Sequence, residues 1–423
     1  MNFTPPSRRA FLSAAAALPL AAVAPWAGPR KRLTTSPRAV CWTMSPDAAA
    51  GGAWTLRGYE PSGRVTGEIP GLSSDVRRSA DGSRILHPWS RRGGAALVTV
   101  VGVYDAGDGR PLGTVTGAPI PVDDAPLAWD DVEVRFSADG RRAAVLHRVN
   151  RQWNPPAGKQ ADSAGFRHTC AVSLEMIDLS AGRSADLIEL EPAQEVVPAA
   201  RALVRLSADG ARVHVFDRGT VIAVAFDGKR LSRGGPGRAG LTAGTVPVPG
   251  GAMLWYGGGE VHWATPDDPG VVRKHRFARP SAHAFFGRRL ALADPVGGTV
   301  ELLDAASGRS AGIRSLRGGA AAGNARGNPG ATDGALAFGA DGSSLWMVDG
   351  LAEPGGLWRL PASGAGGARH LLAGTPLTEV RAAPDAVFAL SAAQGRLHVL
   401  SPSGTAGSAI ETPGALRLLR DDD

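Results

Sequence analysis

Ser137-Ala138-Asp139-Gly140-Arg141-Arg142-Ala143-Ala144-Val145-Leu146 is the stretch that decides how this chain is read. Asp-Gly is a tight-turn dipeptide, because glycine enters positive φ freely and the aspartate can bond nearby backbone amides. The apolar run behind it, Arg142 to Leu146, reads as a short strand. The same turn returns at Ser79-Ala80-Asp81-Gly82, Ser207-Ala208-Asp209-Gly210 and Gly339-Ala340-Asp341-Gly342, with strands expected at Arg212 to Phe216 and Leu345 to Val348. A second signal, rich in Asp, Ser and Gly, alternates with the first. It falls at Glu60 to Gly63, Asp105 to Gly109, Asp178 to Gly182, Asp227-Gly228, Asp267 to Gly270, Asp304 to Gly308, Pro361 to Gly364 and Ser401 to Gly404.

Those eight later turns are spaced mostly near the roughly forty to fifty residues of a four-stranded propeller blade. No stretch beyond the N-terminus sustains a 3.6-residue apolar period, which argues against an α-rich fold. A fixed long period over the whole body favours radial repetition over a sandwich. The expected fold is all-β, a β-propeller with units at about 39–70, 71–118, 129–190, 200–236, 246–275, 281–316, 333–372 and 378–412. Eight four-stranded blades is the reading taken, with seven as the alternative. The first unit shows only three strands, at Ala39 to Thr43, Trp54 to Tyr59 and Arg64 to Ile69. The tail Ala415 to Arg420 is expected to supply the fourth, so that N- and C-terminal segments pair and remove an open sheet edge. Residues 39–420 then form one domain, with 421–423 an acidic tail.

Ser-x-Asp-Gly before a short strand, followed by Asp-x-x-x-Gly-Arg at a hairpin, resembles the YVTN, lactonase and quinoprotein group of bacterial propellers. Alanine stands here where that group usually has proline. The resemblance implies the fold and is almost silent on function, because such blades carry enzymes, binding modules and scaffolds alike.

The start, Ser7-Arg8-Arg9-Ala10-Phe11-Leu12 and an alanine-rich run through Ala24, resembles a twin-arginine signal. The run is interrupted by Pro19 and falls short of the about 20 residues of a transmembrane helix. Residues 1–38 are therefore read as signal and linker, with Arg8 and Arg9 as its recognition pair. The resemblance implies folded export through the twin-arginine translocase to the periplasm or the cell exterior. Ala22-Val23-Ala24 has the form of a cleavage site, but Pro25 follows it, so an uncleaved membrane anchor stays open.

The formal charge of +7 comes largely from this leader. Arg8, Arg9, Arg30, Lys31, Arg32 and Arg38 precede the first acidic residue; without them 40 basic residues face 39 acidic ones. A basic footprint for nucleic acid is missing from the body, and nucleic acid is excluded as a partner. Cys41 and Cys170 lack metal-site or redox spacing. Two separate buried thiols are expected, one disulfide being the alternative outside the cytoplasm.

Four residues before the turn aspartates stand Arg77, Arg135 and Arg205, and Arg381 holds the same place before Asp385. Pointed at the axis they would form a positive ring for a carboxylate or phosphate. Pairing with carboxylates such as Glu133 is the structural alternative. Eight residues after the turn aspartates stand Trp89, His147, Asp217 and Asp349, a set that could hold a metal or act as acid and base if separate blades converged. The alternative is polar strand ends that cap loops. Two insertions, Pro88 to Gly94 with Trp89, Arg91 and Arg92, and Asn150 to Thr169 with Arg151, Trp153, Arg167 and His168, read as long binding loops on neighbouring blades.

His-Glu-x-x-His, Gly-x-Ser-x-Gly, a Walker loop and Cys-x-x-Cys-His are all missing from the sequence. No metal site and no named cofactor are indicated. The function expected is a monomeric, non-catalytic, extracytoplasmic propeller that binds a small anionic molecule, a glycan or a protein on its loop-rich face. The alternative is a propeller enzyme of lactonase, lyase or quinoprotein-like type using His147 with Asp217 or Asp349.

Overall fold

Aspartate-glycine turns set the strand boundaries. In the computed structural model Gly82, Gly140, Gly210 and Gly342 all take φ between 61° and 67°. That region excludes most side chains. Around the second of these turns the Ser137 hydroxyl donates to Asp139 at 2.7 Å, while the Arg141 amide donates to the same carboxylate at 3.0 Å. The Gly140 amide returns to the Ser137 carbonyl at 2.8 Å. The turn at Ser79 repeats this geometry, its hydroxyl 2.7 Å from Asp81. Residues between 39 and 419 are described, apart from interruptions that include 154–166, 235–243 and 316–334. The leader, the tail from Arg420 and the expected turn at 267–270 lie outside them.

The described residues form eight antiparallel sheets, most of them four-stranded meanders of consecutive strands. Seven of them occupy 77–121, 127–195, 203–234, 244–276, 282–315, 336–371 and 379–411. The first joins Cys41–Pro46, Trp54–Tyr59 and Val65–Leu72 to Arg417–Leu418, in the order third, second, first, last. Thr43 stands opposite Leu418 and Met44 opposite Arg417, so the tail supplies the strand missing from the N-terminal unit. In the third sheet the outer strand is split, and both Arg183–Ser184 and Ile188–Glu195 pair with Arg167–Asp178.

Apolar side chains alternate along the strands and meet between consecutive sheets. Trp42, Leu56 and Ile69 of the first sheet pack on Ile85 of the second. Ala144, Leu146, Leu174 and Met176 of the third pack on Val204, Val213 and Val215 of the fourth. A larger cluster runs through the sixth, seventh and eighth sheets around Leu302, Trp346 and Val380. Phe388 and Leu390 of the eighth sheet meet Cys41, Tyr59 and Leu418 of the first. Each fully buried leucine or phenylalanine contributes roughly 1.5–3 kcal/mol. The first strands also adjoin: Leu127–Phe136 lies against Leu203–Leu206, Leu336–Phe338 against Glu379–Ala382, and Glu379–Ala382 against Arg417–Leu418.

Arginines stitch successive turns together. Arg84 donates to the Gly140 carbonyl of the next sheet at 2.6 Å, and Arg142 donates to Gly210 of the one after at 3.0 Å while lying over Phe226. At the start of this series the Gly82 carbonyl is taken by Arg78 of its own sheet at 3.0 Å.

The first expected insertion is strand as far as Gly93, and the second is strand at its two described ends, 150–153 and 167–169. Arg84–Gly93 pairs residue for residue with Ala96–Asp105, out to Gly93 opposite Ala96. Arg142–Trp153 pairs with Arg167–Asp178 out to Trp153 opposite Arg167. The long strands of the second and third sheets run ten to twelve residues, against eight at most elsewhere among the described residues. Cross-strand packing overrides the loop signals of Pro88 and Gly93. Leu97, Ile120 and Val122 of one sheet close on Ala128, Val149 and Trp153 of the other, so the two hairpins stand together as one raised pair.

Candidate functional site

A polar array lies in the seam below that raised pair. On Leu127–Phe136, Asp130 shares a face with Val134 and Phe136, which pack on the second sheet. His147 stands opposite Val132, and Ser173 stands opposite His147. Period-two alternation therefore puts Asp130, His147 and Glu175 on one face, along a diagonal across three strands. His147 Nδ1 lies 2.7 Å from Asp130 Oδ2, and its Nε2 lies 3.2 Å from Glu175 Oε2. All three side chains are fully buried.

Glu175 bridges the sheets. It accepts the Ala118 amide of the second sheet at 2.5 Å, together with the Ser184 hydroxyl of its own sheet. Gly117 makes room for it, because a Cβ there would stand 2.5 Å from Glu175 Oε2. Burial opposes a charge on His147, but the hydrogen bond and charge of Asp130, joined by those of Glu175, outweigh it and raise the imidazole to about 9. The two carboxylates thus favour the protonated form of His147. Asp130 Oδ1 is buried without a donor among the described residues.

His87, on the opposite face of the second sheet, behaves in the reverse sense. Its Nε2 accepts the Ser73 amide at 2.9 Å, and burial pushes it down to about 4. Trp89 stacks on it with ring centroids 4.9 Å apart.

The other residues singled out from the sequence are dispersed. Arg135 is held by Glu133 at 2.9 Å and by the Val134 carbonyl, and Arg381 donates to the Leu419 carbonyl at 2.9 Å. Arg77 is half-buried on the two-residue strand Arg77–Arg78. The side chains of Arg205, Asp217 and Asp349 lie outside the described residues, although their backbones are in strands. His147 is engaged by Asp130 and Glu175, both of its own sheet. Among the described residues no group of three or more His, Cys, Asp or Glu side chains is arranged to hold a metal. Cys41 and Cys170 are free thiols, the first buried and the second half-buried. Trp153 packs half-buried on the raised pair, Arg151 donates to the Pro121 carbonyl across the seam at 2.8 Å, and Arg91 and Arg92 are exposed.

Asp130 and Glu175 escaped the sequence reading. Their signal was present: Asp130 is a carboxylate on the apolar phase of the alternating run Asp130-Asp131-Val132-Glu133-Val134, and Glu175 is a lone carboxylate within the apolar run Leu174-Glu175-Met176-Ile177.

No protein-family model matches this chain, and no curated protein matches it. Solved structures do. Hsv2p of Kluyveromyces lactis is 11% identical, with 80% of this chain and 98% of its own covered and a TM-score of 0.43. AztD from Citrobacter koseri is 10% identical, covering 89% of this chain and 97% of its own at a TM-score of 0.41. Streptogramin B lyase is 12% identical, covering 62% and 86% at 0.36. These neighbours are β-propellers. The sheets themselves define the class: an all-β protein of repeated four-stranded antiparallel meanders.

Proposed function

We propose that this chain is a non-catalytic propeller of eight blades that binds an anionic partner on the face raised by its second and third sheets. The contrast between the two polar groups of those sheets carries the reading. His147, Asp130 and Glu175 are sealed in a seam, both ring nitrogens occupied. A general acid or base must reach a substrate proton, so the enzymatic alternative with Asp217 or Asp349 is the lesser reading. Arg91 and Arg92 are exposed on the raised hairpin, with half-buried Trp89 and Trp153 on the same pair of sheets. Arginine forks suit carboxylates and phosphates, and aromatic and arginine side chains are those enriched at binding hot spots. Small anions, acidic glycans and acidic protein segments share that chemistry.

Eight sheets, and the packing of the eighth on the first, support a ring closed by Arg417–Leu418. The Ser7-to-Leu12 pattern supports export by the twin-arginine pathway to the periplasm or beyond, and changing Arg8 and Arg9 to lysine then blocks secretion. The binding reading is tested by a thermal-shift panel of sugar acids, phosphates, lactones and acidic polysaccharides on the full chain. A shift with one anionic class that disappears in the double variant R91A/R92A is expected. Turnover of a panel compound, or binding indifferent to both arginines, would overturn it.

A further inference from the structure

We propose that Asp130, His147 and Glu175 form a proton-held latch that fixes the two raised hairpins against each other. Deprotonation of His147 releases it. The latch itself stands on geometry; only its consequence for ligand binding rests on the binding-face reading above.

Counting protons makes the case. Both imidazole nitrogens face a carboxylate oxygen, at 2.7 and 3.2 Å, in a space closed to solvent. A neutral imidazole has one N–H and one lone pair. With the ring neutral, one of the two carboxylates would face a lone pair at hydrogen-bond distance, without water to relieve it. With the ring protonated both contacts are donated. Glu175 is then held in the position from which it accepts the Ala118 amide, so the ring's proton reaches the other sheet through one carboxylate.

Position makes the latch matter. Below it the seam is apolar, from Leu86, Val101 and Val115 against Val134, Val145 and Ile177; above it lies the smaller cluster of Leu97, Ile120 and Val149. The raised pair is thus joined to the body through the level of the array. The charged groups on the facing surfaces are few. From its own sheet His147 meets Asp130 and Glu175, with Arg151 further along the same face and engaged at Pro121, and exposed Glu189 opposite Ser173. From the second sheet come the Ala118 amide, Arg84 at the turn end, engaged at Gly140, and exposed Arg92 at the raised end, opposite Leu97.

Hydrogen exchange read by mass spectrometry on the full chain tests this without any ligand, so that its failure and a failure of the binding reading are separate results. Exchange at pH 7.5 and pH 10, corrected for the intrinsic rate, is compared in Pro111–Pro121 and Arg167–Asp178 against a reference in Val387–Ser391. The seam peptides are expected to lose at least about tenfold more protection than the reference at pH 10. H147Q shows that loss already at pH 7.5 and no further pH response. Equal loss in the seam and the reference, or a seam still protected at pH 10, would overturn the latch. Should H147Q not fold, labelled-histidine NMR of the natural chain decides: an imidazolium at His147 at pH 8 is expected, and a neutral ring there refutes it.

Discussion

Replacing Gly117 by alanine should cost far more than replacing Gly113, although both lie on the strand Pro111–Pro121 and neither has a positive φ. A Cβ at Gly113 meets nothing within 4 Å. A Cβ at Gly117 would stand 2.5 and 2.7 Å from the Glu175 carboxylate oxygens and 2.9 Å from its Cδ. That carboxylate cannot swing aside freely, since His147, Ser184 and the Ala118 amide hold it in a buried seam. Overpacking costs about 1–3 kcal/mol. Loss of a hydrogen bond to a charged group costs about 1.5–3 kcal/mol more. The stiffer unfolded chain returns about 0.4–1 kcal/mol. Gly117→Ala should therefore destabilise by roughly 2–5 kcal/mol, while Gly113→Ala should stabilise by about 0.4–1 kcal/mol. Urea unfolding followed by tryptophan fluorescence measures both. The same alanine in a Glu175→Ala background should lose most of its cost, because the two residues share one space. Gly113→Ala and Gly117→Ala variants of equal stability, or a cost at 117 unchanged in that background, would show that Glu175 does not occupy the seam.

Two histidines should shape stability against pH from opposite sides. His147 is held up at about 9, so its contribution is complete below the unfolded value near 6.5 and disappears as pH rises through 9; H147Q should flatten that alkaline limb. His87 is held down at about 4, so its contribution is complete above 6.5 and is lost as pH falls toward 4; His87→Gln should flatten the acid limb, both being read from unfolding midpoints across pH. Arg142→Met removes a hydrogen bond to Gly210 and a contact over Phe226, and should cost about 2–4 kcal/mol in denaturant unfolding. Arg141→Met, which breaks only an exposed 3.8 Å pair with Asp139, should stay within about 0.5 kcal/mol. Under native conditions a maleimide should label half-buried Cys170 and spare Cys41, which reacts only on unfolding; equal labelling would contradict the core of the first sheet.

Turns were the legible part of this fold, because an Asp-Gly pair leaves a local chemical mark: positive φ at Gly82, Gly140, Gly210 and Gly342 follows from residues adjacent in the chain. The fourth strand of the first sheet was legible for a different reason, an incomplete unit at one end matched by a spare apolar segment at the other. The long hairpins were misread as loops, since Pro88 and Gly93 are breakers by propensity and only packing on the neighbouring sheet makes them strands. The array was illegible as a unit. His147 stood out by its offset from the turn, but its partners lie 17 and 28 residues away and are chosen by a diagonal across strands. Arg84 and Arg142 were invisible as stitches for the same reason, as their acceptors are backbone carbonyls of the next sheet.

The pairing of Thr43 with Leu418 joins opposite ends of the described chain. During synthesis Cys41–Pro46 emerges early and keeps an unsatisfied edge until Arg417–Leu418 has been made, so the first sheet cannot be completed while the ribosome is still within the body. A nascent chain in that interval offers a template for another copy's strand. A product terminated before Arg417 would keep the edge at Thr43 and Met44, the residues that pair with the tail, as a permanent template.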